Sequence, residues 1–137
     1  MNQSIANEFV AVSLDQVRRV VRVTRSAERA TSIEQITSAF GEAAQAMQHI
    51  DRQRYRLLID LRAAPGRNDP AFENAMAKQR AALMSGFSAV AILVQTATGQ
   101  LQVARIGRED GLDVTIFTDE SKAVAWLEAQ SSLRPPW

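Results

Sequence analysis

Valine and its β-branched relatives crowd two short stretches near the start of the chain, Phe9–Leu14 (FVAVSL) and Val17–Arg25 (VRRVVRVTR), with only Asp15 and Gln16 between them. Two such runs joined by two polar residues predict a tight antiparallel hairpin. In the second run Val21 and Val23 fall on one side and Arg22 and Thr24 on the other, the alternation of a half-buried strand. That pattern sets Arg18, Arg19, Arg22 and Arg25 along an edge or solvated face, where charge discourages pairing between molecules.

From Thr31 the period lengthens to that of a helix. TSIEQ (31–35) holds two overlapping capping-box patterns, Thr31 with Glu34 and Ser32 with Gln35. Ile33, Ile36, Phe40, Ala43, Met47 and Ile50 then recur at steps of three and four, a stripe of about five turns. Gly41 interrupts it at ~1 kcal/mol relative to alanine, which is read as room for a close approach to the sheet. Leu57–Leu61 is a short apolar run between polar connectors, the pattern of a strand covered on both faces.

Asp69 before Pro70 predicts a helix entry, with aspartate as N-cap and proline in the first turn. Phe72, Met76, Leu83 and Phe87 form its stripe, broken by Gln79, and Gly86 is placed to stop it. Ser88–Val94 reads as a second buried strand and Thr96–Asp110 as an amphipathic helix carrying Leu101, Val103, Ala104 and Ile106. Val114–Phe117 is the last strand. Thr118 or Asp119 caps a final helix that turns Ala123, Val124 and Leu127 inward, with Trp126 beside them.

The predicted order is ββαβαβαβα. It describes an α/β fold with a single mixed, mostly parallel β-sheet, an N-terminal antiparallel hairpin and helices on its faces. With 137 residues the expectation is one domain over residues 1–130, followed by a flexible C-terminal tail, 131–137, in which two prolines forbid further helix.

Composition removes several kinds of chemistry. There is no cysteine, so disulfides and thiolate catalysis are excluded, and a reducing cytoplasm is the expected compartment. The longest apolar run, Ala89–Val94, is far short of the ~20 residues that span a bilayer, and the N-terminus lacks the features of a signal peptide. A net charge of +1 gives no general pull towards nucleic acid, and only Phe9 lies near the first arginine cluster to stack on a base. His49 is the single histidine and reads as a solvated helix-end residue. One histidine without cysteine builds none of the usual zinc sites, and the acidic pairs Glu109–Asp110 and Asp119–Glu120 lack further ligands at a recognisable spacing. No metal or cofactor is expected. No Gly-x-Ser-x-Gly elbow is present either.

The best candidate site is the loop RAAPGRND after the Leu57–Leu61 strand. Function in parallel sheets gathers beyond the carboxyl ends of strands, and a helix N-terminus attracts anions. Arg62 and Arg67, brought together by the turn at Pro65 and Gly66, have the chemistry to clamp a phosphate, a carboxylate or an acidic partner. Against this, Asp69 as N-cap repels a second anion, and the loop is not a glycine-rich phosphate cradle. A plain turn held by arginine hydrogen bonds remains the alternative. Asp60 is read as a strand-end carboxylate that accepts from loop N–H groups, with an environment able to shift its pKa.

The element order, the LLID strand (57–60), AVAILV (89–94), TGQLQVARIG (98–107) and FTDESKAVAWLEA (117–129) resemble the SpoIIAA-like members of the STAS superfamily, which share a SEC14-like arrangement. The resemblance runs from about Phe9 to Ala129 and is most specific in DESKAVAWL. Classical antagonists of that group carry a phosphorylatable serine at the N-terminus of the helix after the central strand. The corresponding positions here are Asn68 and Asp69, so the serine is absent. Asp69 then either only caps its helix or holds the domain in one permanent signalling state, with a fixed charge in place of a phosphate.

The resemblance implies a non-enzymatic regulatory module whose partner-binding or ligand-binding residues are Arg62, Gly66, Arg67, Asn68 and Asp69. The alternative it implies is a SEC14-like binder of a lipid or small anionic ligand, with Phe117, Trp126, Met84 and Phe87 lining a cavity if the helices pack as in that family; ordinary core is the default reading of these four. A homodimer through exposed strand edges is left open.

Overall fold

The computed structural model describes residues 2–66 and 70–130, with side chains described from residue 5. Six strands form one sheet in sequential order: β1 (Asn2–Ala6), β2 (Val10–Asp15), β3 (Val20–Arg25), β4 (Arg56–Asp60), β5 (Ala89–Leu93) and β6 (Thr115–Phe117). β1, β2 and β3 pair antiparallel, and β3 to β6 are parallel. The expected architecture is present, with one strand more than the sequence pattern suggested. β1 has the polar sequence NQSIA and sits at the sheet edge, so no apolar alternation announced it.

β1 pairs with β2, while β3 lies between β2 and β4 and is internal, not an edge. Two expectations are thereby corrected. Arg25 shares the face of Val21 and Val23 and is itself buried, with its guanidinium over the Phe9 ring and donating to the Ser26 and Glu28 carbonyls. Arg22 is half-buried in an ionic cluster described below, and only Arg18 and Arg19 are exposed. The hairpin turn is also longer than two residues, because β3 starts at Val20. Asp15 Oδ1 accepts from the Val17 and Arg18 amides, and Arg19 closes the turn at φ 57°.

Helices α1 (Ile33–Ala46), α2 (Pro70–Met84), α3 (Ala97–Asp110) and α4 (Glu120–Ala129) follow β3, β4, β5 and β6. Three successive right-handed crossovers that step one strand at a time in the same direction leave their helices on the same face. Accordingly α1, α2 and part of α3 cover a core that includes Val23, Ile59 and Ile92, aligned across adjacent strands. α4, after the last strand, lies alone on the other face, where Ala123 and Leu127 meet Leu58, Ala91 and Leu93. All five residues of β4 are buried, and each fully enclosed leucine there contributes ~1.5–3 kcal/mol.

Capping chemistry sets three helix starts. Ser32 accepts from the Gln35 amide, Thr96 from the Gly99 amide and Asp119 from the Lys122 amide. Gly86 takes φ 87° just after α2, as its position predicted. α1 ends earlier than its stripe: Met47 and Ile50 still face the core, but from the turns beyond Ala46. Gly41 makes no close approach, since a Cβ there meets nothing within 4 Å. Leu101 is 73% exposed and is not part of the core. Among the described residues no helix is long and apolar enough to cross a membrane.

Candidate functional site

β4 ends at Asp60, and the chain then turns through Leu61–Gly66 towards α2. Asp60 is 5% exposed and organises this corner. Its Oδ1 accepts from the Arg62 amide and Nε, both at 3.0 Å, and its Oδ2 from Arg62 Nη2 and Arg22 Nη2, both at 2.8 Å. Arg62 and Arg22 each reach on to Glu120 Oε1 in the first turn of α4, at 2.7 and 3.0 Å. Two guanidinium groups and two carboxylates thus close a neutral cluster on the α4 face of the sheet. The Arg62 fork, with Arg22 adding to it, holds the Asp60 carboxyl at about 2. Glu120 also lies below the ordinary carboxylate range, first because of Arg22 and then Arg62.

The sequence reading of Asp60 as a strand-end carboxylate bonding the loop is met. The chain's own carboxylates occupy Arg62, so this side chain stiffens the loop. Gly66 is exposed at the loop's end. Arg67, Asn68 and Asp69 lie outside the described residues. Arg22 and Glu120 were not read as neighbours of this corner. The signal was available only in part, as the parity that sets Arg22 on the face of Leu58 and Asp60 and as an acidic residue in the first turn of α4.

On the opposite face, between α2 and α3, lies a cavity of about 470 Å³. Its floor is Ile59 and Ile92, its walls include Phe72 and Met76 from α2 and Val103 and Ile106 from α3, and Arg62 and Pro65 of the loop border it. α1 and α2 pack directly, whereas α2 and α3 are joined by side-chain bridges. Arg80 Nε meets Asp110 Oδ2 at 2.6 Å, and Glu73 Oε2 accepts from Arg105 at 2.8 Å. Arg105 holds Glu73 below the ordinary carboxylate range.

Phe117, Trp126, Met84 and Phe87 take the core reading and do not together line a cavity. Phe117 and Trp126 pack on each other, ring centres 5.8 Å apart, on the α4 face, while Met84 and Phe87 belong to the other core. A sheet separates the two pairs. Of the four only Met84 lines the cavity. The acidic pairs are absorbed by structure: Asp110 and Glu109 pair with Arg80 and Arg105, Asp119 caps α4, and Glu120 joins the Asp60 cluster. Among the described residues no group of acidic or histidine side chains is placed to hold a metal.

No family model and no curated protein matches the chain. Solved structures do. A DUF3478-family protein with a SpoIIAA-like fold from Shewanella loihica PV-4 is 17% identical and superposes at a TM-score of 0.62, covering 91% of this chain and 98% of its own. An anti-sigma-factor antagonist (STAS) domain protein from Planctomyces limnophilus is 20% identical at a TM-score of 0.54, covering 85% and 96%. The chain therefore has the SpoIIAA-like fold of the STAS domains.

Proposed function

We propose that this domain is a regulatory protein-interaction module of STAS type that acts by contact and not by catalysis. Its working surface is the loop from Arg62 to Asp69 with the start of α2. The observation that carries the reading is the stiffened corner at the carboxyl end of β4. Asp60 holds Arg62, near the start of the loop, by three hydrogen bonds and is itself braced by Arg22, so the exposed Ala63 beside it is presented at a reduced entropic cost on binding. The neighbour from Planctomyces limnophilus, an anti-sigma-factor antagonist domain, supports a regulatory role for a chain of this fold.

The segment from Arg62 to Pro70 contains no serine, threonine or tyrosine. No hydroxyl is present there to carry a phosphate, so the switch of the classical antagonists has no acceptor in this loop. The interaction is then governed by the partner's availability or by events elsewhere in the domain.

A photo-crosslinking amino acid placed at Ala63 tests the proposal, with the same group at Val17, 85% exposed in the hairpin turn, as the control. A discrete protein adduct is expected at position 63 and not at 17. Equal labelling at both positions, or none at 63, removes the loop as the working surface.

A further inference from the structure

The cavity between α2 and α3 goes beyond the interaction reading, because it faces away from the Asp60 cluster and has its own construction. Its volume of about 470 Å³ falls in the ~300–1,000 Å³ range of small-molecule sites. Its lining is dominated by aliphatic, aromatic and methionine side chains from two strands, three helices and the loops that follow them. The polar side chains that reach it are Arg62, Arg80, Gln95, Thr96 and Gln102.

The charge state of those side chains decides the ligand class. Arg80 is engaged by Asp110 through two hydrogen bonds, at 2.6 and 3.3 Å, and by the Glu73 carbonyl at 3.0 Å. Arg62 is held by Asp60 and Glu120. An entering anion must take a guanidinium from a carboxylate that already satisfies it, and then face that displaced carboxylate. An entering cation meets the guanidinium groups. An uncharged molecule pays neither cost, and Gln95 at the mouth offers a neutral amide to a hydroxyl or carbonyl end.

The roof favours entry as well. α2 and α3 are bridged by Arg80–Asp110 and Glu73–Arg105, polar contacts that water can replace when the helices part. We propose that this cavity binds an uncharged, predominantly apolar small molecule carrying at most one neutral polar group, admitted between α2 and α3.

The full chain titrated with the neutral fluorophore N-phenyl-1-naphthylamine tests the site. One saturable binding event per chain is expected, with displacement by 1-decanol at least tenfold more effective than by decanoate at pH 8. Val103→Trp fills the cavity and is expected to weaken binding at least tenfold, while Leu101→Trp, on the exposed side of the same helix, leaves it unchanged. Should Val103→Trp lose its folded circular dichroism, Ile106→Phe serves as the filling variant. Non-saturable binding, or affinity unmoved by filling, overturns the site. Decanoate competing as well as decanol overturns the ligand class.

Discussion

Arg56, the first residue of β4, donates from Nη1 to the carbonyl oxygen of Leu127 in α4 at 2.6 Å. A second donor, Nη2, goes to the Arg18 carbonyl in the hairpin turn. The guanidinium is buried, and burial lowers its pKa, with Glu128 opposing the shift. A cation against the last carbonyls of a helix is favoured by the helix dipole. β4 therefore fastens both ends of α4, the far end through Arg56 and the near end through Asp60, its arginines and Glu120.

Replacing Arg56 with methionine keeps much of the volume but removes the charged donor to the Leu127 and Arg18 carbonyls. Hydrogen bonds from a charged donor contribute ~1.5–3 kcal/mol. Arg56→Met is expected to destabilise the domain by about 2 kcal/mol in urea unfolding. Amide exchange near the end of α4 is expected to accelerate more than exchange in β4.

Asp60 makes stability depend on acid. Its folded pKa, about 2, lies below the ordinary value of 3.8, so the unfolded chain takes up this proton first as pH falls. The contribution is complete above pH 4 and is lost as pH falls from about 4 to 2, amounting to roughly 2 kcal/mol. Asp60→Asn is expected to lower stability at pH 7 and to flatten that part of the acid profile. Unfolding midpoints measured between pH 2 and 6 compare the two proteins.

Gly41 stands inside α1 with open space where a Cβ belongs. Gly41→Ala is expected to stabilise by ~0.5–1 kcal/mol, through the greater conformational entropy that glycine loses on folding. Calorimetry reads this as a rise in Tm, and an unchanged or lower Tm would show that the helix cannot take the methyl.

Gln79 interrupts the stripe of α2, and its Oε1 is buried without a hydrogen-bond donor among the described residues. Gln79→Met removes the polar atom at similar volume and is expected to raise stability by about 1 kcal/mol in urea unfolding.

The architecture was legible where side-chain periodicity reports packing. Val21 and Val23, the LLI of β4 and AVAIL of β5 point inward as their patterns require, and Ser32, Asp119 and Gly86 mark boundaries through local backbone chemistry. β1 was missed because NQSIA at an edge carries no buried alternation. Arg22 and Arg25 were misplaced for a different reason: β3 lies inside the sheet between β2 and β4, and their partners come from distant segments and from the loop after β3. Asp60 was legible because a carboxylate closing an apolar strand must find donors nearby. Its partner Glu120 is 60 residues away in sequence, and only the tertiary fold brings it there. The cavity left only a faint trace, the thin stripes of α2 and α3, since a void is defined by what the side chains fail to fill.

The sequential strand order also fixes how the chain is completed during synthesis. Each new strand adds beside the one made just before it, and none has to be threaded between two already paired. Leu58, Ala91 and Leu93, by contrast, stay bare until the final helix emerges. A nascent polypeptide of this kind is half waterproofed for most of its translation, and a stalled ribosome short of residue 120 releases a sheet with one sticky side.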